Sequence, residues 1–241
     1  MKRIVCKNYE ELSRAGALVF AEQIWKKPDS VLGLATGGTP VGLYNGLVDM
    51  YKDKELDFSR ITSFNLDEYF PMEPTEEQSY HSFMWENLFS HVNVRKESVN
   101  ILDGRVSDPD KACADYEEKI ALAGGIDLQL LGIGHNGHIA FNEPDEKLPV
   151  STSVVTLTER TIEANTRFFE SRDLVPRKAL SMGMGSIMSA RRILMLISGK
   201  DKAPAVKEMF SGTITTQMPA SLLQLHPDVL VLLDAAAASL L

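Results

Sequence analysis

Apolar residues fall into two kinds of run along this 241-residue chain. Dense apolar blocks have the length of strands: Val31–Ala35, Ile61–Leu66, Leu128–Ile133, Arg192–Ile197 and Val229–Leu233, with Ile4–Cys6 as a short edge strand and Val99–Leu102 as a weak one. Between them the apolar positions open to helical spacing. Leu12, Ala15, Val19 and Ile24 follow Asn8 and Glu11, a capping-box pattern, and stop before Pro28 and Asp29. Leu43, Leu47 and Met50 form one face of a helix with Pro40 near its first turn. Further helices are predicted over Ser79–Phe89, from Asp108-Pro109 to about Ala123, over Thr158–Phe169, and from about Ala203 to Phe210. Val150–Leu157 alternates as a strand does, and Ala179–Met184 predicts another, joined to Arg192–Ile197 by a Gly-Ser turn. Asp57–Arg60 reads as a turn, Phe70–Glu77 as a loop, and the tail Ala235–Leu241 shows no packing role.

Strands alternating with helices predict an α/β fold of three αβα layers: a mostly parallel, Rossmann-like sheet with helices on both faces. The length suits one domain over residues 1–241, and no internal repeat, low-complexity segment or linker divides it.

Composition narrows the partners. A net charge of -8 argues against nucleic acid or an anionic membrane as the main partner, while a few local cations can still hold a small phosphorylated ligand. Two cysteines, Cys6 and Cys113, are too few for a disulfide framework or a thiolate metal site. The first residues turn polar without a signal-type apolar core, and no apolar run reaches membrane-spanning length, so a cytoplasmic location is expected.

Ligands in such sheets bind beyond the carboxyl ends of the strands, near a switch in strand order. Four loops in that position carry unusual residues: Thr36–Pro40, Asp67–Tyr69, Gly134–Pro144 and Ser198–Lys202. In the first, Gly37, Gly38 and Thr39 can turn backbone N–H groups toward an anion at a helix start, or can form a plain strand–helix turn. The Walker lysine and the spacing of a dinucleotide fingerprint are both missing, so a phosphate monoester fits better than a nucleotide. Lys202 and Arg167 can add point charges to the same phosphate, or can be solvated cations. Asp67 follows a strand, where a carboxylate can act as base toward a carbon acid or can cap a turn. His138 with Glu143 matches an acid–base imidazole oriented by a carboxylate. The third loop spends two histidines, two amides (Asn136, Asn142) and a carboxylate beside Phe141 and Pro144, which is more than a solvated turn needs. A metal site from His135, His138 and Glu143 is poorly supported, since the spacing sits in a Gly-rich loop and no third ligand is evident. No nucleophile elbow suggests a serine hydrolase.

Taken together, Thr36-Gly37-Gly38-Thr39-Pro40, Phe64-Asn65-Leu66-Asp67-Glu68-Tyr69, Tyr80-His81-Ser82-Phe83-Met84, Gly137-His138-Ile139-Ala140-Phe141-Asn142-Glu143-Pro144, Thr166-Arg167-Phe168-Phe169 and Leu223-Gln224-Leu225-His226-Pro227 resemble the glucosamine-6-phosphate deaminases over essentially the whole chain. The resemblance implies conversion of glucosamine 6-phosphate and water to fructose 6-phosphate and ammonia, with a small-molecule substrate and no metal or organic cofactor. It implies that His138, assisted by Glu143, opens the sugar ring and that Asp67 moves the C2 proton. It further implies that Gly37, Gly38, Thr39, Arg167 and Lys202 anchor the phosphate, and that residues from about 150 to 181 form a mobile lid. Two departures stand out. Asn136 occupies a position where some members have aspartate, and asparagine is expected to bond the imidazole without supplying charge. Ser153, Val155 and Glu146 replace the effector-binding arginine, lysine and serine of the allosteric hexamers, so an unregulated monomer is expected.

Two other functions remain to be separated from this one. A 6-phosphogluconolactonase shares the fold and the anchored phosphate but needs no base at C2. A sugar-phosphate sensor would need a DNA-binding module, and the acidic N-terminal region offers neither a helix-turn-helix nor a basic face.

Overall fold

Strands that are apolar along their whole length need cover on both faces, and the order of elements supplies it. The computed structural model describes all 241 residues. The elements run β1 (Lys2–Cys6), α1 (Tyr9–Lys26), β2 (Val31–Leu34), α2 (Val41–Lys52), β3 (Thr62–Asn65), β4 (Asp67–Phe70), α3 (Tyr80–Asn87) and β5 (Val99–Asn100). They continue with α4 (Pro109–Leu122), β6 (Leu128–Leu131), β7 (Ser153–Thr156), α5 (Glu159–Asn165), β8 (Lys178–Ser181), α6 (Met184–Met188), β9 (Arg192–Ile197), α7 (Ala203–Met209) and β10 (Val229–Asp234).

Seven strands pair in parallel in the order β1-β10-β9-β6-β2-β3-β5. The chain moves outward from β2 to β3 and later returns to the other side of β2 with β6. Right-handed crossovers therefore put α1 and α2 on one face, where they pack against each other, and α4 and α7 on the other. β2, β6 and β10 are buried at every residue, and a core of 54 buried residues joins both layers through the sheet. The αβα architecture expected from the alternation is the observed one.

Local chemistry sets the helix ends. The Asn8 side chain accepts from the Glu11 N–H at 2.9 Å, and the Glu11 carboxylate accepts from the Lys7 N–H at 2.9 Å, which is a capping box shifted by one residue. Ser79, Asp108 and Thr158 cap α3, α4 and α5 in the same way.

Four expectations need correction. Asp67–Phe70 is a strand rather than a loop, and it pairs antiparallel with β8, which pairs antiparallel with β7, in a separate three-stranded sheet. Its apolar signal is weak because two of its four residues, Asp67 and Glu68, are carboxylic acids buried for other purposes. The Gly-Ser turn before β9 contains a helix, α6; Gly183 and Gly185 allow it to lie against the backbone of Val150, which any Cβ there would strike. The helical segment Thr158–Phe169 ends at Asn165 and tightens into a single 3-10 turn. In the tail, Ala237 is fully buried and its N–H is held by the Asp234 carboxylate at 2.7 Å.

Asp127 ties the amino-terminal edge of the sheet together. Its buried carboxylate accepts from the Val31 N–H at 2.8 Å, Lys27 Nζ at 2.8 Å and Arg191 Nη1 at 2.7 Å. Burial pushes its pKa up, but these contacts outweigh burial and hold it below the ordinary value. Both cations face solvent, so Asp127→Asn is expected to cost only about 1–2 kcal/mol at neutral pH. A depressed carboxylate stabilises the fold above its unfolded pKa and loses that contribution as pH falls. Chemical denaturation of the variant and wild type should therefore converge below about pH 4.

Candidate active site

β2 and β6 are neighbours whose following connections leave in opposite directions, which opens a crevice beyond their carboxyl ends. The four loops singled out in the sequence follow β2, β3, β6 and β9, which are adjacent in the sheet in the order β9-β6-β2-β3. The ends of β9 and β2 stand roughly 10 Å apart, two strand spacings.

The turn after β2 is built to leave its amides free. Gly37 has φ +106, a conformation that favours glycine, and neither Gly37 nor Gly38 has a neighbour where a Cβ would project. The N–H groups of Gly37, Gly38 and Thr39 donate to no protein acceptor, while the carbonyls are held from behind. The Tyr9 hydroxyl lies 3.1 Å from both Gly38 O and Thr39 O, and it accepts from the Gly42 N–H at 2.9 Å. Amides pointing outward at the start of α2 suit an anion. Across the crevice, Lys202 is largely buried, with only Asp201 near its amine, at 3.9 Å. Burial lowers its pKa, Asp201 opposes that, and Arg167 is close enough to push it lower still. Arg167 itself lies over the Phe168 ring and pairs with no carboxylate. Two cations thus crowd one region in which Asp201, itself bonded to His135, is the one carboxylate within reach of Lys202. Gly199 and Ser198, bonded to Asp234, fix the turn that presents Lys202.

The loop after β6 folds back on itself. Gly134 N–H bonds to His138 O at 2.9 Å, and the His138 ring lies where a Gly134 Cβ would be. Nδ1 of His138 is 3.1 Å from Glu143 Oε1, off the alignment of a straight N–H···O bond. The Asn136 amide donates to Glu143 Oε2 at 2.6 Å, and its oxygen accepts weakly from the His138 N–H at 3.3 Å. Asn136 was expected to bond the imidazole; it buttresses the carboxylate instead, because the tight Gly134–Gly137 turn sets it beside Glu143. The hydroxyl of Thr161 donates to Glu143 Oε1. Burial alone would raise the pKa of Glu143, yet His138, Thr161 and Asn136 together bring it down to about 2. His135 turns elsewhere and bonds Asp201 at 2.7 Å, linking this loop to the Lys202 turn. It does not join His138 and Glu143, and no group of three His, Cys, Asp or Glu side chains converges with metal-site geometry.

Asp67 opens β4 directly opposite Ser181 of β8, so the two side chains project from the same face of the small sheet. On that face the Ser181 hydroxyl accepts from the Phe141 N–H at 3.2 Å, and Asn142 donates to Met182 O at 2.9 Å. Tyr69, two residues along, meets Tyr80 and Phe141 with ring centroids 4.9 and 5.8 Å away. Asp67 therefore shares its side of the sheet with the His138–Glu143 loop, walled by aromatic rings. It has no hydrogen-bond partner. Burial, and secondarily the neighbouring Glu68 charge, raise its pKa to about 8. Glu68 points to the opposite face and caps α3, accepting from the N–H groups of Tyr69, Tyr80 and His81 at 2.8, 3.0 and 2.9 Å. A hollow of about 270 Å³ lies on that far side, lined by Glu68, His81, Trp85, Lys96, Asp103 and Arg105 among others. It lies on the Glu68 side of β4, opposite the side that carries Asp67.

The loops thus leave neighbouring strands at one edge of the sheet: Asn136, His138 and Glu143 contact one another, Asp67 lies on the face of the small sheet that meets Phe141, Arg167 is close to Lys202, and Gly37, Gly38 and Thr39 form the turn after β2. Sequence reasoning missed Tyr9, Thr161 and Ser181. Each acts across a long chain separation, and a Tyr, Thr or Ser carries no local signal for such a partner. Two carboxyl groups whose pKa values are pushed apart, one of them beside an imidazole, are suited to acid–base chemistry on a substrate held elsewhere by an anionic group.

Known proteins resemble this chain in sequence and in fold. The family model described as glucosamine-6-phosphate isomerases/6-phosphogluconolactonase matches residues 8–231. The glucosamine-6-phosphate deaminase of Halothermothrix orenii is 57% identical over 241 residues, covering all of both chains. That of Clostridioides difficile is 54% identical, covering 99% of this chain and 96% of its own. A solved structure of a monomeric glucosamine-6-phosphate deaminase superposes with a TM-score of 0.98 at 48% identity over the full length of both. A 6-phosphogluconolactonase from Trypanosoma cruzi, 23% identical over 99% of this chain and 96% of its own, reaches 0.76 and shares the fold. By sequence and by structure alike, the chain belongs to the glucosamine-6-phosphate isomerase/6-phosphogluconolactonase family, among its glucosamine-6-phosphate deaminases.

Proposed function

We propose that the protein converts glucosamine 6-phosphate and water to fructose 6-phosphate and ammonia, with the residues above in defined roles. The observation that carries these roles is a partnerless, buried Asp67 sharing one face of the small sheet with the His138–Glu143 loop.

The phosphate sits on the free amides of Gly37, Gly38 and Thr39, facing Lys202 and Arg167. Anchoring one end holds a flexible open chain in register with the acid–base groups. His138 moves a proton from the anomeric hydroxyl to the ring oxygen, which opens the pyranose to an aldehyde. Glu143, anionic throughout the working range, stabilises the imidazolium that forms between the two transfers. Asp67 then takes the C2 proton while a proton of the substrate ammonium passes to the aldehyde oxygen, giving an enolamine with a hydroxyl on C1, and Asp67 returns its proton to C1, leaving a protonated imine at C2. Water adds to the imine, and ammonia departs to leave the ketone. A base with a high pKa suits removal of a proton from carbon, while the substrate ammonium at C2 draws Asp67 toward ionisation on binding.

Residues 150–181 act as a lid within a single functional unit. Leu157, Ile162, Val175 and Ala179 join Tyr69, Met72 and Phe141 in a cluster of seven residues separate from the main core. The part of this segment before β8 buries its side chains mainly in that small cluster, so it can open while β8, with Leu180 in the main core, stays paired to β4. We also propose a cytoplasmic monomer. The monomeric state rests on the likeness to the monomeric deaminase, and the location on the membrane impermeance of sugar phosphates; no helix is long and apolar enough to cross a membrane.

Ammonia release from glucosamine 6-phosphate tests the reaction, and a wild-type protein that releases none would overturn it. Asp67→Asn and His138→Gln are each expected to lower kcat by about 10²–10⁴-fold. Lactonase activity surviving Asp67→Asn without ammonia release would move the assignment to lactone hydrolysis. Lys202→Met should act mainly through KM. Steady-state kinetics should be hyperbolic and indifferent to N-acetylglucosamine 6-phosphate, given Ser153, Val155 and Glu146.

Asp67→Asn should also stabilise the fold. Folded Asp67 keeps its proton up to about pH 8, whereas the unfolded side chain releases it near 3.8, so wild-type stability falls as pH rises across that window. Thermal melts should show a Tm gain for the variant that grows from pH 4 to pH 8; a gain that shrinks would contradict the buried, proton-holding base.

A further inference from the structure

The first turn of α5 reaches into the acid–base loop. Thr161 is 7% exposed, and its hydroxyl donates to Glu143 Oε1, the oxygen that lies 3.1 Å from His138 Nδ1. Its direction is set from behind. The Thr158 hydroxyl donates to the Thr161 hydroxyl at 3.1 Å while accepting from the Thr161 N–H at 3.2 Å. The only proton left to the Thr161 oxygen therefore goes to the carboxylate. Asn136 occupies the other carboxylate oxygen. Glu143 is thus gripped between one donor from its own loop and one donor from the 150–181 segment.

Resting on the deaminase reading above, we propose that Thr161 is a positioning residue that couples seating of the lid to ring opening. With α5 in place, Thr161 and Asn136 hold the Glu143 carboxylate at one rotamer beside the imidazole. With α5 displaced, Glu143 loses the donor on the oxygen nearest His138 and is free to turn. Neutral donors do this without placing a second anion beside Glu143, so the carboxylate stays ionised and the His138 ring is the one imidazole facing it. Ring opening is then efficient only over a covered substrate, which limits release of a reactive open-chain amino aldehyde.

The test compares Thr161→Val, which keeps the shape but removes the donor, with Thr161→Ser, which keeps the donor. Both are assayed for ammonia release from glucosamine 6-phosphate across pH, beside the wild type, with circular dichroism to verify folding. Thr161→Val is expected to lower kcat about tenfold, the scale of one hydrogen bond to a charged group, with KM changed less than about twofold. Glu143 stays anionic across the working range, so the loss should appear as a lower kcat at every assayed pH rather than as a shifted profile. Thr161→Ser should restore the rate. A folded Thr161→Val with the wild-type rate would overturn the proposal, as would equal impairment of both variants or a loss carried by KM. Should Thr161→Val not fold, Thr158→Val takes its place, since it frees the Thr161 hydroxyl from its fixed direction; a wild-type rate there would also overturn the proposal. Activity in the wild type with no effect of these changes would refute the coupling alone, whereas no wild-type activity would refute the deaminase reading itself.

Discussion

The site depends on one splice. The main sheet can deliver loops to a common edge, but it cannot by itself turn Asp67 toward the loop after β6. The small antiparallel sheet does that. β8 pairs with β4 through Ser181 opposite Asp67, the same Ser181 holds the Phe141 N–H, and Met182 holds both Leu66 and Asn142. Two stretches separated by some seventy positions are thereby locked to a third strand that neither could recognise locally. The aromatic contacts of Tyr69, Tyr80 and Phe141 then exclude water from the side where Asp67 sits.

From that exclusion follows the division of labour between carboxyl groups. Asp67 is given burial, a like charge beside it and no donor, so it holds its proton to about pH 8. Glu143 is buried too, but it has an imidazole, an amide and a hydroxyl around it, and it ionises at about 2. Glu68, adjacent in sequence to Asp67, is spent on the Tyr69 N–H and on the N–H groups of Tyr80 and His81 at the start of α3. Alternation along one strand thus separates a chemical carboxyl from a structural one. A partnerless buried acid destabilises the fold, and its presence is consistent with selection for chemistry rather than for stability.

The strongest parts of this organisation were legible in the chain. β2, β6, β9 and β10 read as continuous apolar runs because both their faces are covered, and the glycines of the Gly37 turn and of the His138 loop marked where backbone must bend. Less was visible where partners lie far apart. β4 is a short, half-polar strand followed by prolines, so nothing local distinguishes it from a loop. α6 hides behind two glycines needed for close approach to Val150. Asn136 was matched to the correct loop but to the wrong partner, since a one-residue difference in a tight turn decides whether its amide meets the ring or the carboxylate. Tyr9 bracing the phosphate turn, and Thr161 on Glu143, depend on packing that no periodicity encodes.

A crystal structure of Asp67→Asn soaked with glucosamine 6-phosphate tests the shared crevice most directly. The phosphate should lie on the Gly37–Thr39 amides within reach of Lys202 and Arg167, with C2 beside residue 67 and the anomeric oxygens beside His138. Sugar density in the hollow lined by Glu68 and Trp85, or a phosphate remote from Lys202, would contradict the account.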